Sequence, residues 1–182
     1  MPAGLVFLYK NTIFRPYDPL IQKNHLSLEV KPKNSIISMS TVNDRQDEII
    51  EEFEGLDDWM DRYSVIIDMG NAMPALDEQY KTTDNLIDGC QSRVWLQADC
   101  IDGKMRLQAD SDAIIVKGII SMLVRVLDGA TPQEVLDADL YFIERIGLRD
   151  HLSPTRSNGL LAMIKQIRAY AIAFQARDHC SC

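Results

Sequence analysis

Asp102 and Gly103 stand between two alternating runs, and this arrangement constrains the fold more than any other feature of the chain. Before the pair, Arg93, Trp95 and Gln97 alternate with Val94, Leu96 and Ala98; after it, Met105, Leu107 and Ala109 alternate with Arg106 and Gln108. Alternation with period two gives each run one apolar edge. Asp-Gly supplies the positive φ angles of a two-residue turn, so the runs predict an antiparallel hairpin, joined by a further strand near 85–87. A sheet with one apolar face needs a cover. Residues 113–127 are apolar nearly all round, as expected of a helix buried on several sides, and Gly129 closes the segment. The segment is shorter than the ~20 apolar residues of a membrane span.

Helical periodicity flanks the hairpin on both sides. From Thr41 onward Asn43 and Gln46 form a capping pair, and Ile49, Ile50 and Phe53 share a face opposite Asp47, Glu48, Glu51 and Glu52. A second helix opens on Asp57 as cap and carries Trp59, Tyr63, Ile66 and Ile67 on one stripe, closing near Gly70. Thr131, Pro132 and Glu134 combine a hydroxyl cap, a first-turn proline and a third-position carboxylate. After a short segment from Leu140 to Ile146, Ser153 and Pro154 start a last long helix bearing Leu160, Leu161, Ile164, Ile167, Ala171 and Phe174. The order is helices, hairpin, helices. It predicts an α+β domain: a small three-stranded antiparallel sheet covered on one face by helices.

Composition sets the outer limits. The chain has 182 residues, 46% hydrophobic and 25% charged, enough for one packed core. Its formal net charge of -8 argues against a nucleic-acid binder, which needs Lys and Arg in clustered excess. Residues 1–40 run the other way, with Lys10, Arg15, Lys23, Lys31 and Lys33 against Asp18 and Glu29. They are expected to form an N-terminal arm separate from a domain at 41–176, with 177–182 as a solvated tail. The Leu5 to Tyr9 run lacks the length and flanks of a secretory signal. Met39, directly before the first helix signal, is expected to be the native start.

Four cysteines, Cys90, Cys100, Cys180 and Cys182, show no CxxC pairing, which argues against a disulfide framework and points to the cytoplasm. His179 beside the last two makes too short a cluster for zinc, and no metal or cofactor is expected. The sequence holds no HExxH, GxSxG or GxxxxGK[ST] motif. One string does carry chemistry: Asp88-Gly89-Cys90-Gln91-Ser92, a thiol placed after a glycine in the loop entering the hairpin. Free cysteines are among the most buried residue types, yet polar neighbours on both sides and a loop position suit a reactive thiol. Asp110 and Asp112 are expected to cap the buried helix, Lys117 to be a solvated charge, and Trp95 to anchor packing on the sheet. Cys100 is not expected to act as a resolving thiol.

Three strings occur in order: Gly89-Cys90-Gln91-Ser92-Arg93-Val94-Trp95; Asp110-Ser111-Asp112-Ala113 followed by Ile115-Val116-Lys117-Gly118; and Leu152-Ser153-Pro154-Thr155-Arg156-Ser157-Asn158-Gly159-Leu160. Together they resemble the SufE family over roughly Asp44 to Ala173. The resemblance implies a persulfide acceptor that stimulates a PLP-dependent, SufS-like cysteine desulfurase and hands sulfur to iron–sulfur cluster assembly on a SufBCD-type scaffold. Such a protein is a sulfurtransferase-like accessory rather than a stand-alone enzyme. The family's acceptor cysteine matches Cys90. Gly89 would ease the swing of the loop, Gln91 and Ser92 would hydrogen-bond it or the bound sulfur, and Arg156 and Asp112 would support it. Arg156 near a helix start opposes the helix dipole, so either a role in ordering the loop or a surface salt bridge accounts for it. Two other readings stand beside this one: an iron–sulfur scaffold of the IscU kind, which would need about three or four soft ligands, and a structural interaction module whose cysteine is incidental.

Overall fold

The computed structural model describes residues 40–177. The expectations for an N-terminal arm, a start at Met39 and a solvated tail lie outside the described residues. In chain order the elements are α1 (Val42–Phe53), α2 (Trp59–Ala72), β1 (Val94–Ile101), β2 (Lys104–Ser111), α3 (Ile114–Leu127), α4 (Pro132–Asp137), α5 (Phe142–Arg145), α6 (Leu148–His151) and α7 (Pro154–Ala176). Two single-turn 3₁₀ helices, Glu78–Tyr80 and Thr83–Asn85, interrupt the long connection from α2 to β1.

The hairpin forms as the alternation demands. Val94 pairs with Ser111, Leu96 with Ala109 and Ile101 with Lys104. Asp102 and Gly103 take φ of 52° and 75°, the positive angles that the tight turn requires. Val94, Leu96, Ala98, Met105, Leu107 and Ala109 turn inward and are buried. Arg106 and Gln108 on the opposite face are exposed, so helices cover one side of the sheet. The α+β class therefore holds. The third strand does not: Leu86 makes one isolated bridge to Trp95, and the sheet has two strands among the described residues. The 3₁₀ turn before Leu86 and the turn at Gly89 after it, with φ of 88°, leave no extended length to pair.

Helix α3 is the centre of the core, with Ile119, Ile120, Met122, Leu123, Val126 and Leu127 at most 2% exposed. It packs closely on α2, where Gly118 lies against the backbone of Ile66 and Gly70 lies against the backbone of Gly118. Near α1 two cap assignments change. Thr41 caps α1: its hydroxyl accepts from the Asp44 N–H at 3.1 Å, while its own N–H donates to Asp44 Oδ2 at 2.8 Å. Gln46 is fully buried instead, its Oε1 accepting the Phe142 N–H at 3.3 Å. It shares the inward face with Val42, Ile49 and Phe53, which is where a residue four after Val42 must point. In α2 the cap is Asp58 rather than Asp57, accepting from the Met60 N–H at 3.0 Å. The Thr131 and Glu134 capping box of α4 forms as expected.

Candidate functional site

Cys90 is held in a short loop with both ends fastened. At the base, the Ile87 N–H donates to the Val94 carbonyl at 2.8 Å. At the exit, Asp112 accepts the Arg93 N–H at 3.0 Å and the Arg93 Nε at 2.9 Å, and Ser111 Oγ donates to the Arg93 carbonyl at 2.9 Å. Between these fastenings only residues 88–92 are left to move, and Gly89 supplies the left-handed backbone that starts the turn. The loop as a whole is anchored further back by Leu76, buried at 3% exposure.

A second anchor is a charge cluster that corrects the sequence reading. Asp110 does not cap α3; its carboxylate pairs with Lys81 Nζ at 3.1 Å and Lys117 Nζ at 2.9 Å, and accepts the Ser111 N–H at 2.9 Å. Asp112 does not cap it either, because Ala113 occupies the cap position without a side-chain bond. Lys117, expected to be solvated, is instead tied into this cluster. Burial raises the Asp110 pKa, but the hydrogen bonds from Lys117, Lys81 and the Ser111 N–H outweigh it and hold the carboxyl below its ordinary value. A depressed carboxylate stabilises the fold above its ordinary pKa of ~3.9 and loses that contribution as pH falls through the lowered folded value. The melting temperatures of wild type and Asp110→Asn should therefore differ at pH 6 and converge as the pH drops well below about 4. A constant difference down to the lowest pH would show that the charge is not what Asp110 contributes.

The thiol itself is half-buried. Its Sγ donates to the Gly159 carbonyl of α7 at 3.7 Å. Burial pushes the Cys90 pKa up, so at rest the group is a protonated thiol rather than a nucleophile. Beside it opens a cavity of about 320 Å³ whose walls come from three elements. The loop contributes Gln91 and Ser92, α3 contributes Val116 and Ile119, and the start of α7 contributes Ser153, Thr155, Arg156, Gly159 and Met163.

The structure thus brings Cys90, Gln91, Ser92 and Arg156 together at one cavity and places Asp112 behind the loop as its clasp. Arg156 is exposed and takes part in none of the ion pairs among the described residues, so the surface salt bridge is not its role. Trp95 is half-buried on the outer face of β1, with the Arg93 guanidinium 5.5 Å from its ring centroid. Sequence reasoning missed the α7 wall beyond Arg156; the helical spacing of Arg156, Gly159 and Met163 was the available signal. It also missed Lys81, which sits in irregular chain where no periodicity points. Cys100 is disulfide-bonded, so the absence of CxxC spacing, which argued against a disulfide framework, did not exclude this bond. Cys90 remains the free thiol among the described residues. Among the same residues no three His, Cys, Asp or Glu side chains converge as a metal site.

Residues 47–171 match the model of the SufE family, described as an Fe-S metabolism associated domain. The chain belongs to the SufE family. An uncharacterized SufE-like protein of Rhizobium etli is 39% identical over 77% of this chain and 95% of its own length. A second, from Synechocystis, is 36% identical over 78% of this chain and 89% of its own. A hypothetical protein from Thermus thermophilus, solved in solution, superposes with a TM-score of 0.61 at 24% identity, covering 72% of this chain and 96% of that one, which supports the fold. Membership in the SufE family associates the chain with iron–sulfur metabolism. No helix among the described residues is long and apolar enough to cross a membrane.

Proposed function

We propose that the protein is a persulfide acceptor whose working domain is 41–176: Cys90 takes sulfane sulfur from a PLP-dependent cysteine desulfurase and passes it on to iron–sulfur cluster assembly on a SufBCD-type scaffold. The observation that carries the reading is the free thiol of Cys90 on a five-residue, glycine-led loop fastened at both ends, at the mouth of a cavity. A thiolate must attack the sulfane sulfur, hold it, and yield it to another thiol. Resting against α7, Cys90 is protonated and sheltered; swung out about Gly89, it loses the burial that suppresses its ionisation. Docking therefore switches the thiol on. Ser92 lines the space in which the sulfur rests, Gln91 lies at its rim, and Arg156 gives an anionic persulfide a cationic neighbour.

Asp112 sets how readily the loop leaves. Replacing it with Ala removes two hydrogen bonds from Arg93 at the loop exit. Alkylation of Cys90 by iodoacetamide should then speed up by roughly fivefold, since one exposed clasp is worth about 1 kcal/mol. An unchanged alkylation rate would mean that the loop does not need this release.

The reading is tested by mixing the full chain with a cysteine desulfurase, PLP and L-cysteine and weighing the peptide that contains Cys90. An added mass of about 32 Da marks a carried sulfur. Iron uptake without the adduct would favour the scaffold reading, and neither would leave a structural module; both results overturn the acceptor.

A further inference from the structure

Sulfur is small compared with the space beside Cys90. One sulfur atom needs about as much room as a water molecule, ~30 Å³, whereas the cavity holds about 320 Å³. Its lining combines two kinds of chemistry. Val116, Ile119 and Met163 give it apolar and polarizable surface that suits a soft sulfane atom. It is lined too by Arg156, without an ion-pair partner among the described residues, and by the first turn of α7, which has no side-chain cap. Pro154 is the first residue of that turn, and Ser153 Oγ is engaged with Thr155 Oγ1 at 3.2 Å rather than with a helix N–H. A guanidinium and uncapped N–H groups at the start of a 23-residue helix make that part of the lining a place for negative charge.

The lengths agree. Cys90 Sγ lies against Gly159, and Arg156 is three residues earlier on the same helix, about 4.5 Å along its axis. One added sulfur lies ~2 Å from Sγ, and a second, because the chain bends at the middle sulfur, lies about 3.3 Å from it. We infer that the cavity between Cys90 and Arg156 is a polysulfide site, in which Cys90 accepts a second sulfane sulfur before unloading and Arg156 with the start of α7 binds the terminal anion. This inference rests on the acceptor reading and adds its capacity.

The chemistry requires no redox partner. In the first transfer the Cys90 thiolate attacks the sulfane sulfur of the desulfurase persulfide, forming the Cys90 S–S bond and breaking the S–S bond of the donor, whose thiolate leaves with the electron pair and takes up the proton. In the second, the terminal sulfur of Cys90–S–S⁻ attacks the next donor persulfide in the same way. The products are Cys90–S–S–S⁻ and another donor thiol. Each round moves one neutral sulfur atom, and no oxidant or reductant is consumed.

The test loads the full chain either with desulfurase, PLP and L-cysteine or with sodium tetrasulfide, caps the products with an iodoacetamide reagent, and weighs the Cys90 peptide. Additions of both about 32 and about 64 Da are expected, with the heavier species at least several-fold more abundant in folded protein than in protein loaded in urea. Arg156→Gln should lower the ratio of heavier to lighter species by roughly threefold or more, through loss of a charge-assisted contact. Gly159→Ala, which puts a methyl 3.6 Å from Cys90 Sγ, should lower it as well. A lone 32 Da species at saturating donor would overturn the polysulfide site and leave the acceptor reading standing. Equal heavy species in urea, or ratios unmoved by both variants, would also overturn it. Absence of any adduct would remove the acceptor reading and this inference together.

Discussion

Replacing Cys90 with Ser is expected to abolish stimulation of the desulfurase, with sulfur uptake falling at least ~100-fold, because a serine hydroxyl does not ionise near neutrality and cannot displace a thiolate from sulfur. The substitution is otherwise mild. The side chain is half-buried, and a serine hydroxyl can still donate to the Gly159 carbonyl that Sγ contacts at 3.7 Å. Thermal stability should therefore change by less than about 1 kcal/mol. The decisive comparison is the rate of alanine release by the desulfurase with wild type, with Cys90→Ser and with no acceptor. Undiminished stimulation by the serine variant would sink the acceptor role, since docking alone would then explain any effect. The same argument fixes the pH behaviour of the isolated chain. Burial raises the Cys90 pKa, so its alkylation should gain speed only at a higher pH than that of a free cysteine, which titrates near ~8.5. Addition of the desulfurase should move that profile down if docking swings the loop into water.

What the sequence discloses here is mostly what short-range physics decides. The hairpin was legible because Asp102 and Gly103 accept positive φ and the residues on either side alternate; nothing distant was needed to fix its register. The thiol was legible because Gly89 and the polar residues after Cys90 mark a loop. Its cavity was not, since half of the wall comes from α7 and becomes a wall only when α7 packs beside the loop. The caps failed for a different reason. Thr41, Asn43 and Asp44 all suit a helix start, as do Asp57 and Asp58, so propensity leaves several starts nearly equal. The choice fell to packing, which sends Gln46 inward to meet the Phe142 N–H. Asp110 and Asp112 stood where caps stand and were claimed by Lys81, Lys117 and Arg93, partners that only the folded chain brings near.

Gly118→Ala should be among the most damaging single changes in the core, although alanine is by ~1 kcal/mol the better helix former. A Cβ on Gly118 would lie 2.1 Å from the Ile66 carbonyl oxygen, 2.5 Å from Ile66 Cγ2 and 2.7 Å from the Ile66 carbonyl carbon. Two of these three atoms are backbone within α2, so no side-chain rotation relieves the clash; the helices must separate. Overpacking of that kind costs about 3 kcal/mol or more, a large part of the roughly 5–15 kcal/mol that typically holds a domain together, and should lower the melting temperature by roughly 10 °C. Gly159→Ala is the matched control. It too adds a methyl inside a helix, but its Cβ meets only Cys90 Sγ at an ordinary 3.6 Å, so helix propensity should leave stability equal or slightly higher. Opposite signs for the two variants in the same melt would establish that close approach, not glycine flexibility, is why position 118 is glycine; equal small effects would refute it. The consequence reaches the site, because Val116 and Ile119 flank Gly118 and line the Cys90 cavity. A chain that survives Gly118→Ala with α3 displaced should expose Cys90 to alkylation faster than wild type, tying the packing of α2 on α3 to the shelter of the thiol.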